Sequence, residues 1–182
     1  MDPNAQGEKL FYHIFSTPVG WLGLVGGPRG LVDIQMHTTR EAVSDSVNLR
    51  FPLAHEELSG VLVDARTQLL EYFAGKRERF NLPLDWRRLS DFQRRVLRHL
   101  QQLPFAELTT YGEMARQVGA PRAARAIGAV MAVNPFVIVV PCHRVLGRGG
   151  RMTGYSGGAG IASKQWLLDF ERRSLRNDGD NQ

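Results

Sequence analysis

A segment in the second half of the chain carries the signals for two short helices separated by a glycine turn. Thr110 and Glu113 have the spacing of a capping box, in which the Thr110 hydroxyl accepts from the third helical amide while Glu113 reaches back to the cap. That helix is predicted to stop at Gly119. Pro121 suits the first position of a second helix that continues to about Ala132, because its missing amide hydrogen has no partner there. Together these signals predict a helix-turn-helix motif.

The second of these helices has an unusual composition for a helix that reads DNA. Arg122 and Arg125 stand among three small residues, Ala123, Ala126 and Ala129. Helices that enter the major groove usually carry long polar side chains, whereas alanine allows the close backbone approach that a narrow minor groove requires. Two interpretations stay open for this segment alone: docking in a minor groove, or tight packing of the alanines inside the protein.

The N-terminal half has the pattern of a small antiparallel sheet. Apolar stretches alternate with turn-prone segments that contain glycine and proline, which is typical of hairpins. The stretches are residues 10–15, 21–25 and 31–36, and the turns are residues 17–20 and 26–30. Residues 37–60 show no decisive pattern.

Two amphipathic helices are predicted on either side of the middle of the chain. The first covers the sheet and ends at Gly75, and the second is capped by Ser90 and ends before Pro104. Residues 80–86 between them contain Pro83 and suit an edge strand or an extended linker. The apolar faces consist of Leu62, Ala65, Leu69, Leu70 and Phe73 in the first helix and of Phe92, Val96, Leu100 and Leu103 in the second.

Charge divides the chain at the same place. Residues 1–86 carry 8 Lys and Arg against 11 Asp and Glu, a net charge of −3, whereas residues 87–182 carry 15 against 7, a net charge of +8. We therefore expect an N-terminal α/β domain with its linker over residues 1–86 and a mostly helical C-terminal domain over residues 87–182, an α/β (α+β) fold. The basic half is either a solvated arginine-rich surface or one that binds nucleic acid.

Cysteine, histidine and apolar content exclude several classes of protein. The only cysteine, Cys142, cannot form an internal disulfide or a multi-cysteine zinc site, and the five histidines are too scattered for a local metal motif. We therefore predict no metal and no cofactor. No stretch reaches the roughly 18 apolar residues of a membrane span, and no secretory signal is evident, so we expect a cytoplasmic protein.

Cys142 follows a segment that should be buried. Asn134-Pro135 ends the second helix of the motif, and residues 136–140 form an apolar, strand-like run that leads into Pro141-Cys142-His143-Arg144. A free cysteine is more often an inert buried residue than a nucleophile. Neighbours on an extended segment also point in opposite directions, so adjacency to His143 does not prove contact. The segment by itself leaves both roles open.

Six short motifs follow one another in a specific order. They are Thr110–Glu113, Arg122–Ala126, Asn134-Pro135, Pro141–Arg144, Gly154–Gly158 and Lys164–Glu171. This ordered set resembles the O6-alkylguanine-DNA alkyltransferase family, the methylated-DNA–protein-cysteine methyltransferases, strongly from about Phe92 to Glu171 and loosely over the N-terminal half. A Pro-Cys-His-Arg tetrapeptide alone would be weakly specific, but its spacing from the helix-turn-helix and the glycine-rich loop makes the set specific.

The resemblance implies a chemical role for five residues. Cys142 would be the nucleophile that takes the alkyl group, His143 would remove its proton through a water, and Glu171 would orient the imidazole. Tyr111 would donate a proton to the leaving guanine. Asn134 would hold the helix-turn-helix against the segment that carries the cysteine. Without the resemblance, Glu171 would be interpreted as a solvated carboxylate and Tyr111 as a packing residue.

The resemblance also implies how DNA is held. The damaged base would leave the duplex, Arg125 would take its place in the stack, and the small face of that helix would lie in the minor groove. Tyr155 and Ser156 would form a wall of the base pocket, and the backbone at Cys142 and Val145 would read the exocyclic amine. The residues expected to contact DNA or the base are Arg122, Ala123, Arg125, Ala126, Ala129, Val145, Tyr155 and Ser156.

Three functions compete at this point. The leading prediction is a DNA repair enzyme that acts once per molecule on double-stranded DNA containing O6-alkylguanine, with O4-alkylthymine as a second candidate substrate and self-association on DNA left open. A damage sensor that binds without reacting would lack the acceptor cysteine. A helix-turn-helix regulator would need long recognition side chains.

The sequence departs from the family in two places. The segment over residues 159–163 is slightly longer than its counterpart in some members, and the zinc site found in some members has no cysteine counterpart in this chain.

Overall fold

The computed structural model describes residues 8–179 of the chain and divides between Leu89 and Ser90 into an N-terminal and a C-terminal unit. The charge pattern predicts a domain boundary three residues earlier, between residues 86 and 87. Within the described residues, no helix has both the length and the apolar content to cross a membrane.

The N-terminal unit is built on a four-stranded sheet. Its strands are β1 (Phe11–Thr17), β2 (Gly20–Gly27), β3 (Gly30–His37) and β4 (His55–Glu56), and their order in the sheet is β3-β2-β1-β4. Strands β1 to β3 form the predicted antiparallel hairpins, but β4 pairs with β1 in parallel, so the sheet is mixed. Gly30 starts β3 at a φ of +130°, where a Cβ would lie 2.3 Å from the Pro83 carbonyl oxygen, so only glycine fits there.

Two helices pack on this sheet, and the sequence pattern predicts only one of them. Helix α1 (Arg40–Arg50) lies in the segment that has no decisive pattern; its only buried residues are Val43 and Val47. A Cβ on Gly23 would lie 2.4 Å from the Val43 side chain, so the absence of a side chain lets α1 approach β2 closely. Two buried residues in eleven make too weak an apolar stripe to be read from the sequence.

Helix α2 (Val61–Phe73) covers the sheet as predicted and ends before Gly75. Its buried face consists of Leu62, Ala65, Leu69 and Tyr72. Leu70 is 38% exposed, so its assignment to the buried face was wrong, and Phe73 is only half-buried. The buried face is therefore rotated toward Tyr72, a residue that the predicted face did not include.

The segment over residues 80–86 runs beside β3. The Leu31 amide donates to the Pro83 carbonyl at 2.8 Å, and the Asp85 amide donates to the Leu31 carbonyl at 2.8 Å. This is one parallel bridge, between Leu31 and Leu84, rather than a full strand. Pro83 is tolerated because its missing amide hydrogen is not needed at this edge.

A buried carboxylate lies under α1. Asp33 on β3 is 1% exposed, accepts a hydrogen bond from the Gln35 side chain, and pairs with Arg50 at 2.7 Å. Ser46 on α1 donates to Gln35 at 2.7 Å and extends the network. Burial raises the pKa of Asp33 from 3.8 to about 6 against the opposing charge of Arg50.

This pKa makes the stability of the protein depend on pH. Between pH 3.8 and about pH 6 the folded chain keeps a proton on Asp33 that the unfolded chain has released. The free energy of unfolding should therefore fall as pH rises through this window, by up to about 3 kcal/mol. Asp33→Asn mimics the protonated form, so its stability relative to the wild type should rise with pH. Urea denaturation across this pH window measures the free energy of unfolding of both proteins, with Asp45→Asn on the exposed face of α1 as control. A difference between Asp33→Asn and the wild type that does not change with pH would contradict the prediction.

The C-terminal unit contains the predicted helix-turn-helix, formed by α4 and α5 of its four helices: α3 (Asp91–Gln101), α4 (Tyr111–Gln117), α5 (Ala124–Ala132) and α6 (Ile161–Gly179). Ser90 caps α3 as predicted and also forms a full capping box with Gln93. The predicted Thr110–Glu113 capping box is confirmed at α4: the Glu113 amide donates to the Thr110 hydroxyl at 3.2 Å, and the Thr110 amide donates to Glu113 Oε2 at 2.8 Å.

The start of α5 differs from the prediction. The helix begins at Ala124 with Ala123 as its cap, so Pro121 is not its first residue. The Ala123 amide donates instead to the Ala120 carbonyl at 2.8 Å and closes a turn over residues 120–123. Proline is also favoured inside such turns, where its fixed φ fits the second position.

The apolar run over residues 136–140 is buried, as predicted, but it is not a strand. The Val140 amide donates to the Phe136 carbonyl at 2.7 Å, and Ile138 has a φ of +72°. The segment therefore turns back on itself before Cys142. A short parallel pair follows, in which β5 (Thr109–Thr110) aligns with β6 (Val145–Leu146).

Candidate active site

Cys142 opens onto a cavity of about 400 Å³ within the C-terminal unit. The residue begins a single turn of 3-10 helix, Cys142–Arg144, and is 3% exposed. The other residues that line the cavity come from α4, α5 and the glycine-rich loop; they are Tyr111, Gly128, Met131, Ala132, Gly154, Tyr155 and Ser156. A thiol at this position can meet a ligand that enters the cavity while remaining shielded from bulk water.

His143, Arg144 and Glu171 form a buried cluster behind the thiol. His143 Nε2 lies 2.8 Å from Glu171 Oε1, and Arg144 donates to both Glu171 oxygens at 2.9 Å. Arg144 also donates to the carbonyls of Leu103 and Pro104, at 3.1 and 3.0 Å. Burial raises the pKa of Glu171, but His143 and Arg144 outweigh it and lower the pKa to about 2, so the carboxylate is ionised.

The geometry fixes which nitrogen of His143 is available. Burial lowers the pKa of His143 against the opposing effect of Glu171, so the ring is neutral at rest. An ionised carboxylate only accepts hydrogen bonds, so the proton sits on Nε2 and donates to Glu171. Nδ1 therefore keeps its lone pair; it is buried and has no hydrogen-bond partner within residues 8–179. A neutral imidazole with a free lone pair is suited to accept a proton.

The Cys142 thiol is protonated at rest. Burial raises its pKa, and this effect exceeds the lowering by a hydrogen bond from Asn134 and by the charge of Lys164. Because the thiolate is the nucleophilic form, nucleophilic chemistry at this thiol would need a base. His143 is the neighbouring residue whose state meets that need.

Asn134 brackets the segment that delivers the cysteine. Its side-chain amide donates to the Val140 carbonyl at 2.9 Å, and its side-chain oxygen accepts from the Phe136 amide at 3.0 Å. These two bonds close the turn between α5 and Cys142. Two buried bonds of this kind exceed what an ordinary helix stop before proline requires.

The two tyrosines that line the cavity, Tyr111 and Tyr155, differ in the hydrogen bonds of their hydroxyl groups. The Tyr111 phenol accepts a hydrogen bond from the Thr153 hydroxyl at 3.1 Å, which leaves its own hydrogen free to donate elsewhere. The Tyr155 hydroxyl is buried without a hydrogen-bond partner in the described chain, and burial raises its pKa well above the ordinary value. Ser156 lies beside Tyr155 on the cavity wall.

Helix α5 separates a buried face from an exposed one. Its buried residues are Ile127, Val130 and Met131, whereas the residues predicted to face DNA are turned outward. Arg122, in the turn before the helix, is exposed, and so are Arg125, Ala126 and Ala129. Ala123, which caps the helix, is half-buried. Packing in the interior, the alternative left open by the sequence, is therefore wrong for Ala126 and Ala129.

Three residues of this site had no role predicted from the sequence: Arg144, Thr153 and Lys164. Arg144 belongs to the Pro141–Arg144 motif, but its partner was not predicted. Lys164 is fully buried and donates to the Val145 carbonyl at 2.7 Å. Lys164 and Glu171 are seven residues apart, on the same face of α6 as the buried Leu167 and Leu168; two charges on an apolar face are the signal that could have found them.

No group of three or more His, Cys, Asp or Glu side chains within residues 8–179 is arranged to hold a metal ion. The cluster behind Cys142 contains one histidine and one carboxylate, and that carboxylate is already paired with an arginine. The arrangement supports proton transfer and nucleophilic attack by the chain's own side chains.

Known proteins resemble this chain over most of its length. The family model for the 6-O-methylguanine DNA methyltransferase ribonuclease-like domain matches residues 10–86, and the model for the DNA binding domain of the same family matches residues 91–173. A methylated-DNA–protein-cysteine methyltransferase of Mycolicibacterium paratuberculosis is 43% identical over 162 residues, which cover 89% of this chain and 92% of the relative.

Solved structures show the same fold. Mycobacterium tuberculosis O6-methylguanine methyltransferase matches with a TM-score of 0.77 at 38% identity, over 91% of this chain and 94% of that one. A structure of M. tuberculosis OGT in complex with DNA matches with a TM-score of 0.75 at 38% identity, over 90% of this chain and 94% of that one. The chain therefore belongs to the 6-O-methylguanine DNA methyltransferase family, the methylated-DNA–protein-cysteine methyltransferases.

Proposed function

We propose that this protein repairs DNA by moving the alkyl group of an O6-alkylguanine onto Cys142 in one irreversible, stoichiometric transfer. The position of the thiol carries the proposal: the only cysteine lies on a cavity of about 400 Å³, next to a neutral histidine held by a buried carboxylate. The Mycolicibacterium relative is named a methylated-DNA–protein-cysteine methyltransferase, and M. tuberculosis OGT was solved in complex with DNA.

The transfer is a displacement at the alkyl carbon. The Cys142 thiol gives its proton to His143 Nδ1 through a bridging water, and Glu171 stabilises the imidazolium that forms. The sulfur–carbon bond then forms as the carbon–O6 bond breaks, and the electron pair of the broken bond goes to the guanine. Tyr111 donates a proton to the base, and the proton that His143 took from the thiol replaces it in net, so that the imidazole is again neutral and the thiol's proton ends on the guanine.

The acceptor is consumed in this scheme. A thioether on Cys142 would hold the alkyl group through a stable sulfur–carbon bond, and the hydroxyl and thioether side chains that line the cavity are too weakly nucleophilic to release it. Each molecule would therefore react once, without a cofactor.

The cavity residues would hold the flipped base. The Tyr155 ring would pack against it, the backbone near Ser156 would meet O6, and the Val145 carbonyl would accept from the exocyclic amine. The Val145 carbonyl already accepts from Lys164, but a carbonyl oxygen has two lone pairs and can accept both bonds. Asn134 would keep the turn before Cys142 in register with α5.

The exposed face of α5 is the surface proposed to meet DNA. Its alanines would allow close approach to a minor groove, while Arg122 and Arg125 would contact the backbone and the vacated stack. Gly128, Met131 and Ala132 of the same helix line the cavity, so a base extruded at this face would have a short path to Cys142. The basic C-terminal half supplies the sequence-independent attraction to phosphates.

Arg125→Ala should slow repair of duplex DNA on the order of tenfold or more, because the vacated stack would lose the side chain that offsets unstacking. Reaction with the free O6-methylguanine base should change little, since no stack has to be opened. Single-turnover rates on both substrates measure the effect. Arg173→Ala, which removes an exposed charge from α6, is the matched control, and equal losses on duplex and free base would argue against a flipping role.

The proposal is tested by intact-mass measurement after reaction with O6-methylguanine DNA, followed by peptide mapping. We expect one methyl group per chain, on the peptide that contains Cys142. Persistence of the unmodified mass under saturating substrate would refute the proposed function. The same measurement with O4-methylthymine DNA tests the second candidate substrate.

A further inference from the structure

Lys164 is a buried charged residue to which the proposed transfer gives no role. It lies near the start of α6 and is fully buried. Its Nζ donates to the Val145 carbonyl at 2.7 Å and to the Thr153 carbonyl at 3.4 Å. A buried lysine without a carboxylate partner is costly, so a lysine in this position calls for an explanation.

The two carbonyls connect Lys164 to the nucleophile, Cys142, and to the proton donor, Tyr111, of the proposed transfer. Val145 lies three residues after Cys142, on the strand that leaves the 3-10 turn. Thr153 donates through its hydroxyl to the Tyr111 phenol at 3.1 Å. The Lys164 side chain therefore holds, by hydrogen bonds, both the segment that carries the thiol and the segment that orients the Tyr111 phenol.

Charge gives Lys164 a second connection to the thiol. Burial lowers the pKa of Lys164, and a negative charge on Cys142 raises it; in return, the positive charge of Lys164 lowers the pKa of Cys142. Glu171 is already neutralised by Arg144, and His143 is neutral at rest. Lys164 is thus a cation within range of the thiol that no carboxylate compensates within the described chain.

We propose that Lys164 is a positioning residue for the alkyl transfer, whose ammonium stabilises the Cys142 thiolate while its hydrogen bonds fix the Val145 and Thr153 segments. When the thiol proton moves to His143, the ammonium offsets the charge that appears on sulfur. The other titratable or charged groups around the thiol are Tyr111, His143, Arg144, Tyr155 and Glu171. The inference rests on the proposed function for its role in repair, but its effect on the thiol can be measured separately.

The test compares Lys164→Met, which removes the charge and the donors, with Lys164→Gln, which keeps donors without the charge, and Lys164→Arg, which keeps the charge. The first readout is the rate at which iodoacetamide alkylates Cys142 as a function of pH. Met and Gln should move the midpoint of this profile upward by about one pH unit. Their rates should be about tenfold lower near neutral pH and should approach the wild-type rate at high pH.

The second readout is methyl transfer from O6-methylguanine DNA over the same pH range, where the same shift is expected. Lys164→Arg should keep the midpoint near the wild-type value. Lys76→Met, the same substitution at an exposed lysine of the N-terminal unit, is the matched control. Thermal unfolding of each variant identifies any that fails to fold; if Met fails, Gln carries the comparison.

Three results would overturn the inference. One is a wild-type profile in Lys164→Gln, which would leave only a structural tether. Another is a rate in Lys164→Gln that is lower than the wild-type rate by the same factor at every pH. The third is a shift of the midpoint in folded Lys164→Arg as large as the shift in Lys164→Gln. A wild-type protein that reacts with iodoacetamide but not with O6-methylguanine DNA would instead refute the proposed function, and the iodoacetamide profiles would still decide the role of Lys164.

Discussion

Cys142→Ser should lose alkyl transfer completely while keeping its affinity for DNA. Serine has nearly the same shape, so the buried 3-10 turn and the Asn134 bonds should form unchanged. Its hydroxyl is far less acidic than a thiol, however, and a neutral imidazole cannot generate a useful fraction of alkoxide. The single-turnover rate on O6-methylguanine duplex should fall to the uncatalysed background.

The same variant separates binding from chemistry. Electrophoretic mobility or fluorescence anisotropy with O6-methylguanine duplex should give a dissociation constant within about threefold of the wild type, because one buried atom changes. Wild-type protein that has already been methylated is a useful comparison, since it too lacks a free thiol. Methyl transfer to any other residue of the Cys142→Ser chain would contradict the assignment of the acceptor. Loss of DNA binding would contradict the proposal that the thiol carries out the chemistry while α5 binds the DNA.

Glu171→Gln should strongly destabilise the C-terminal unit. Glu171 is fully buried and holds both His143 and Arg144 at 2.8 to 2.9 Å. Removing its charge leaves the Arg144 guanidinium buried without a counter-ion, which typically costs about 3–5 kcal/mol. Alkyl transfer should slow as well, because the imidazolium that forms on His143 would no longer be stabilised by a carboxylate.

Urea denaturation and single-turnover kinetics measure these two effects. The matched control is Asp169→Asn, two residues away on α6, where the carboxylate pairs with Arg172 at 3.5 Å and is 37% exposed. That change should alter the free energy of unfolding by less than about 0.5 kcal/mol and leave the transfer rate unchanged. If Glu171→Gln were as mild as Asp169→Asn, the buried cluster would not be a functional ion pair.

Local signals in the sequence predicted much of the C-terminal unit. The Thr110–Glu113 capping box and the stop at Gly119 depend on residues within a few positions of each other, so they can be read directly from the chain. The same holds for the hairpins of β1 to β3, where alternation and glycine turns coincide. Pro121 shows the limit of such signals, because proline favours a turn and a helix start equally well.

Helix α1 was not predicted and the run over residues 136–140 was mispredicted, because the conformation of each depends on a contact with a residue outside it. Helix α1 buries only Val43 and Val47, and it packs closely because Gly23 on β2 has no side chain. The run over residues 136–140 has a strand-like composition, but the two hydrogen bonds of Asn134 close it into a turn. Neither cause is visible in the segment that it shapes.

By itself the sequence determined which residue types were available for chemistry and, through the order of its motifs, the family to which they belong. Only the tertiary structure decided their states. It placed Glu171 against a histidine 28 residues away in the chain and a neighbouring arginine, and it buried Lys164 against the strand that follows Cys142. The physical reason is that a pKa is set by burial and by charges a few ångströms away, and both are properties of the packed unit rather than of neighbours along the chain.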